Sequence, residues 1–139
     1  MIKYQDLKLI AEARLEDARI LYQNNRFDGA AYLCGYVVEI ALKAKICKAL
    51  SILEYPDDGN NKSIFSSHDF DRLKLLAGLQ EEITLRHKRL FTNWSLLTQW
   101  KPERRYDPVG THSKQEVRQL LNALENPGWG FLSWVKKIW

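Results

Sequence analysis

Cysteine is scarce: the 139 residues hold two, Cys34 and Cys47. Both fall within one predicted helix, where a rise of about 1.5 Å per residue sets them about 20 Å apart, beyond disulfide reach. They are expected as buried thiols of a reducing compartment, which makes Asn61-Lys62-Ser63 and Asn93-Trp94-Ser95 chance matches to a glycosylation pattern. Long apolar runs are missing as well. No uncharged stretch reaches about 18 residues, so no membrane span is expected. The opening Met1-Ile2-Lys3-Tyr4-Gln5-Asp6 has no signal-peptide core, and a cytoplasmic location is the expectation. Strand-like alternation bounded by hairpin turns, internal repeats and low-complexity tracts are absent too, which argues against a β fold or a solenoid.

Chemical signatures are equally sparse. Neither C-x-x-C nor H-x-x-x-H occurs, and His68, His87 and His112 are far apart in sequence, so no metal site is expected. G-x-G-x-x-G and G-x-x-x-x-G-K-[ST] are missing, and Gly59-Asn60-Asn61-Lys62-Ser63 lacks the earlier glycine; no nucleotide loop and no cofactor follow from spacing. Ser67-His68-Asp69 sets the residue types of a catalytic triad side by side. A triad needs them convergent in space, however, and helix capping accounts for these three better.

What is present is apolar residues at helical spacing. With 45% apolar and 27% charged residues, a chain of this length forms one domain and buries roughly 68% of its unfolded surface without metal or disulfide. Leu7, Ile10, Ala11, Arg14, Leu15, Ala18, Leu21 and Tyr22 fall on one face at a period of about 3.6, a first amphipathic helix ended by Asn24-Asn25. The segment from Gly29 to Lys48 is apolar nearly all round, as suits the middle of a bundle. Pro56-Asp57-Asp58-Gly59-Asn60-Asn61 reads as an exposed loop. Ser66 or Ser67 caps a short helix through Leu73 and Leu76 that stops at Gly78. A longer helix buries Ile83, His87, Leu90, Phe91, Trp94 and Leu97 until Pro102 ends it. A loop through Tyr106, Pro108 and Gly110 follows. A Ser113/Glu116 capping box then starts a helix with Val117, Leu120, Leu121 and Leu124 inside, stopped at Asn126-Pro127-Gly128. Phe131 or Leu132, Val135 and Ile138 mark a last turn or two, with Trp129, Trp134 and Trp139 adding bulk. The fold expected is an all-α bundle.

Three constellations carry chemistry. On the second helix, Gly35, Glu39 and Lys43 recur every four residues beside Tyr32 and Tyr36, a polar and aromatic strip on a greasy rod. It reads either as a Glu39 to Lys43 pair with Gly35 admitting a close neighbour, or as a pocket or dimer seam whose buried carboxylate receives a cation from elsewhere. Residues 86–105 hold six cations (Arg86, Lys88, Arg89, Lys101, Arg104, Arg105) against Glu103 alone, a net of +5 where the whole chain carries +4. Arg86, Arg89, Asn93 and Trp100 share a helix flank, a surface for phosphates and unpaired bases that extends to Arg104, Arg105 and Tyr106; the plainer alternative is solvated charge with Trp100 closing the core. Lastly, six residues separate Arg105 from His112, which stands just before a helix start. A phosphate there would find free N–H groups, an arginine and a neutral imidazole as base; the structural alternative is an arginine bonded to the loop and a solvent-facing histidine.

Three stretches together resemble the HEPN family (higher eukaryotes and prokaryotes nucleotide-binding): the run from Gly29 through Gly35, Tyr36, Glu39 and Lys43 to Ala44, Ser67-His68-Asp69 leading to Leu76-Ala77-Gly78-Leu79, and Trp100-Lys101-Pro102-Glu103-Arg104-Arg105-Tyr106. The resemblance implies an up-and-down bundle of about four or five helices, commonly a homodimer, often encoded beside a minimal nucleotidyltransferase in toxin-antitoxin pairs. Active members are metal-independent ribonucleases whose arginine and histidine meet at the dimer seam, and Arg105 and His112 satisfy that spacing here. In those nucleases the pattern lies on or leads into a helix; Tyr106, Pro108 and Gly110 depart from it. The expectation is therefore a domain that binds a nucleotide, RNA or a nucleotidyltransferase partner, with ribonuclease activity as the alternative.

Overall fold

The computed structural model describes residues 1–56 and 64–139, apart from the side chains of Leu85 and Arg86. The turn cluster expected from Pro56 to Asn61 thus lies almost wholly outside the described residues. Helix α1 (Tyr4–Gln23) and helix α2 (Phe27–Leu50) form an antiparallel hairpin and make the most extensive contact in the molecule. Leu7, Ala11, Leu15 and Ala18 are the buried residues of α1, the stripe that a 3.6-residue period dictates. Along α2 the buried residues run round most of the circumference, from Ala30 to Cys47. That places α2 at the centre, packed against α1, α3 (Phe70–Leu76), α5 (Lys114–Glu125) and α6 (Phe131–Val135). Each fully buried leucine, such as Leu42, Leu73, Leu90 or Leu124, contributes about 1.5–3 kcal/mol relative to exposure. The bundle is all-helical, as expected. No helix among the described residues is long and apolar enough to cross a membrane.

Several elements differ from their sequence reading. A minimal antiparallel pair, β1 (Ile2–Lys3) with β2 (Glu54–Tyr55), staples the chain start to the end of α2, although no strand pattern precedes it. Two residues are too few for alternation to register. Asp69, not Ser66 or Ser67, caps α3: its carboxylate accepts the N–H groups of Asp71 and Arg72, while Ser67 Oγ accepts that of Asp69. Gly78 does end the segment, at φ +72°, a conformation that costs glycine little.

The expected long helix is broken. A π-helical turn, Glu82–Arg86, gives way at His87 to extended backbone before α4 (Lys88–Leu97) begins. His87 lays its ring against Trp129 there, with centroids 4.7 Å apart. The restart sets the phase of α4 by Leu90, Trp94 and Leu97, which leaves Phe91 exposed rather than in the core. Pro102 does not end α4, which has already stopped at Leu97; it opens a 3-10 turn, Pro102–Tyr106, because a missing N–H is harmless at a first helical position. Only half of the capping box forms. Ser113 Oγ accepts the N–H of Glu116, whereas the Glu116 carboxylate turns to His112.

Candidate functional site

Gly35 is where α2 admits its neighbour. A Cβ at this position would lie 2.0 Å from Cδ2 of Trp100, so the indole rests directly on the helix backbone. Trp100 is buried among aromatic rings: it stacks on Phe70 at 5.5 Å and 4°, meets Tyr36 edge-on at 5.0 Å, and tilts against Tyr32 at 5.9 Å. It closes the core, and its ring is not part of an exposed flank with Arg89 and Asn93. Those two line a separate cleft with Trp129, whose carbonyl accepts from Asn93 Nδ2 at 2.7 Å. The side chain of Arg86 lies outside the described ones.

One turn further along α2, Glu39 is 2% exposed. Leaving its charge alone there would cost several kcal/mol, and two donors converge on the same oxygen, Oε1: Lys43 Nζ at 3.1 Å and His68 Nδ1 at 2.5 Å. The i,i+4 pair of the plainer reading forms, and His68 adds a second contact from outside the helix. Lys43 is itself buried and stands over the Tyr55 ring at 5.2 Å. The Tyr32 and Tyr36 hydroxyls share a hydrogen bond of 3.1 Å. That bond, with burial adding to it, pushes the Tyr36 phenol up to about 12. His68 escaped the sequence reading, which gave it to helix capping. The signal was indirect: a carboxylate on an apolar rod demands a donor, but nothing local says which.

The 3-10 turn sends its two arginines in different directions. Arg105 is exposed, its guanidinium 4.8 Å from the centre of the Tyr106 ring. Hydrogen bonding to the Tyr106 side chain, and secondarily to that of Tyr32, holds its pKa above the ordinary value. Arg104 turns toward Glu116, 3.7 Å away. His112 is not solvent-facing; it is 7% exposed. Its Nδ1 faces both Glu116 oxygens at 3.0 and 3.1 Å, and its Nε2 faces Asp107 Oδ2 at 3.3 Å. The backbone is fastened too: Asp28 of α2 accepts from the N–H groups of Gly110 at 2.8 Å and His112 at 3.0 Å. Those two bonds, Gly110's first, lower the Asp28 pKa.

Arg105 and His112 consequently share neither a hydrogen bond nor a cleft among the described residues. His112 lines a cavity of about 220 Å³ with Tyr32, Gly35, Trp100, Arg104 and Glu116. Arg105 lines another, of about 520 Å³, with His68, Trp100, Lys101 and Glu103. The phosphate expected at the start of α5 would find its N–H of Glu116 taken by Ser113 and its histidine taken by two carboxylates. Lys101, Arg105 and Tyr106 are exposed to a ligand, the first two on the wall of the cleft of about 520 Å³.

A family model described as the HEPN domain matches residues 4–138, essentially the whole chain. Neither a curated protein nor a solved structure matches it.

Proposed function

The chain belongs to the HEPN domain family, and from that premise we propose that it is a binding domain for RNA or a nucleotide, working as a homodimer beside a minimal nucleotidyltransferase in a toxin-antitoxin pair. One observation carries binding over cleavage: the imidazole of His112 has a carboxylate against each ring nitrogen and is nearly sealed from solvent. A general base must reach the proton it removes. The outer side of the Pro102–Tyr106 turn supports the binding reading. Arg105 offers a forked donor to phosphate, and Tyr106, 77% exposed beside it, offers a face on which an unpaired base stacks. Arg104, 3.7 Å from Glu116, and Arg89, in the separate cleft with Trp129, add positive charge to the same stretch of the chain. The dimer is supported by the exposed Val109 on the loop and by the half-buried Tyr32 and Tyr36 on α2.

The test is anisotropy of a labelled single-stranded oligoribonucleotide at several salt concentrations. The wild-type chain binds, and Arg89→Ala/Arg104→Ala/Arg105→Ala binds more weakly with a shallower salt dependence, since each lost phosphate contact removes about 0.7 from the slope for a single strand. Unchanged affinity rejects this surface. The same RNA stays intact in chelator; cleavage that disappears in His112→Ala would establish the competing reading, a metal-independent ribonuclease using Arg105 and His112.

A further inference from the structure

We propose that the cleft between the start of α3 and the Pro102–Tyr106 turn is a phosphate-binding subsite in which His68, held by the buried Glu39, acts with Lys101 and Arg105. The inference rests on the nucleotide or RNA reading above and deepens it, by naming the group that is gripped and a histidine that grips it.

Geometry prepares His68 for this. Its Nδ1 is fixed by Glu39 Oε1 at 2.5 Å, and Glu39 projects from the central helix of the bundle. A carboxylate that takes Nδ1 decides which ring atom is left: Nε2 has no partner among the described residues, and the side chain is 51% exposed on the wall of the cleft of about 520 Å³. The imidazolium form donates Nδ1–H to Glu39 and Nε2–H outward, the direction in which a phosphate oxygen would be met. His112 has no such free nitrogen.

The charges on the wall favour an anion once internal pairs are set aside. Asp69 stands 3.9 Å from the guanidinium of Arg72, and Asp71 faces Lys74 at 3.6 Å. Glu103 is the carboxylate left over, against Lys101 and Arg105, neither of which has a carboxylate partner among the described residues. Among the described residues, the two buried side-chain atoms with no hydrogen-bond partner are Glu39 Oε2, on the carboxylate that holds His68, and Trp100 Nε1, on a residue shared by this cleft and the cavity that His112 lines. Buried groups in native proteins rarely go unpaired without a functional or solvent reason.

The experiment titrates the full chain with inorganic phosphate and with adenosine monophosphate, reading the imidazole resonances by NMR and affinity by calorimetry. Both probes are expected to shift His68 saturably and to leave His112 unmoved. His68→Gln weakens binding roughly tenfold, the worth of one charge-assisted bond, without lowering the melting temperature by more than a few degrees. The charged groups around the cleft are Glu39 of α2 against the His68 ring, Asp69 and Asp71 at the start of α3, Lys101 just before the turn, and Glu103 and Arg105 within it. Glu39→Gln also weakens binding of both probes and displaces the His68 imidazole resonances in the unliganded chain, which a purely structural role for Glu39 would not do. Equal affinity of wild type and His68→Gln overturns the subsite while leaving RNA binding through Arg105 intact. Failure of the wild type to bind either probe also overturns it, and failure to bind RNA as well removes the parent reading.

Discussion

The indole of Trp100 fills the space that any side chain at position 35 would need, so Gly35 and Trp100 form one steric unit joining α2 to the turn that carries Arg104 and Arg105. In Gly35→Ala the added methyl meets ring carbons near 2 Å, and the indole is hemmed in by Phe70, Tyr32 and Tyr36. Overpacking of this kind costs about 1–3 kcal/mol or more, which outweighs the gain of about 1 kcal/mol from replacing glycine inside a helix. The melting temperature of Gly35→Ala should fall, and adding Trp100→Leu should recover part of the loss as a measurable coupling. A melting temperature equal to or above that of the wild type would show that the contact is not as tight as described.

Asp28 ties the loop before α5 to the first turn of α2, and the tie depends on its charge. Its pKa is lowered, first by the N–H of Gly110 and then by that of His112. A carboxylate depressed in the folded state stabilises fully above its ordinary value of 3.8, and that contribution is lost as pH falls through the lowered folded value. Asp28→Ala should therefore be less stable than wild type at neutral pH and show a weaker loss of stability on the acid side. Denaturant unfolding across the acid range reads this, and exchange of the Gly110 and His112 amides should quicken. Unaltered protection of those amides would contradict the tie.

Burial raises the Cys34 thiol to about 12 and raises that of Cys47 as well. The thiolate is the reactive form. Neither cysteine should react appreciably with an aromatic disulfide reagent in the native protein at neutral pH, and both should react in denaturant. Both are free and buried, so rapid native labelling would mean that α2 is not sheathed by its neighbours.

Much of the architecture was legible because it is local. The stripe of α1, the all-round apolarity of α2, the stops at Asn24 and Gly78, and the Ser113 cap each follow from residues within a few positions of one another. The break at His87 was not, since it is associated with a ring contact to Trp129, far along the chain. The strand pair was missed because two residues carry no period. At the site, the need of Glu39 for a donor could be read from its apolar surroundings, but Asp69 took the capping role that had hidden His68.

By itself, then, the order of residues determined a helical bundle with α2 at its centre and placed Glu39, Lys43 and Gly35 on one strip, because hydrophobic spacing acts over a turn or two and needs no partner. Only the tertiary structure decided that Trp100 would cover Gly35, that His68 would reach Glu39, and that His112 would be enclosed by Asp107 and Glu116 while Arg105 faced another cleft. Those outcomes turn on which distant groups meet once the core has closed, and charges and rings brought together from separate elements leave no periodic trace in the chain.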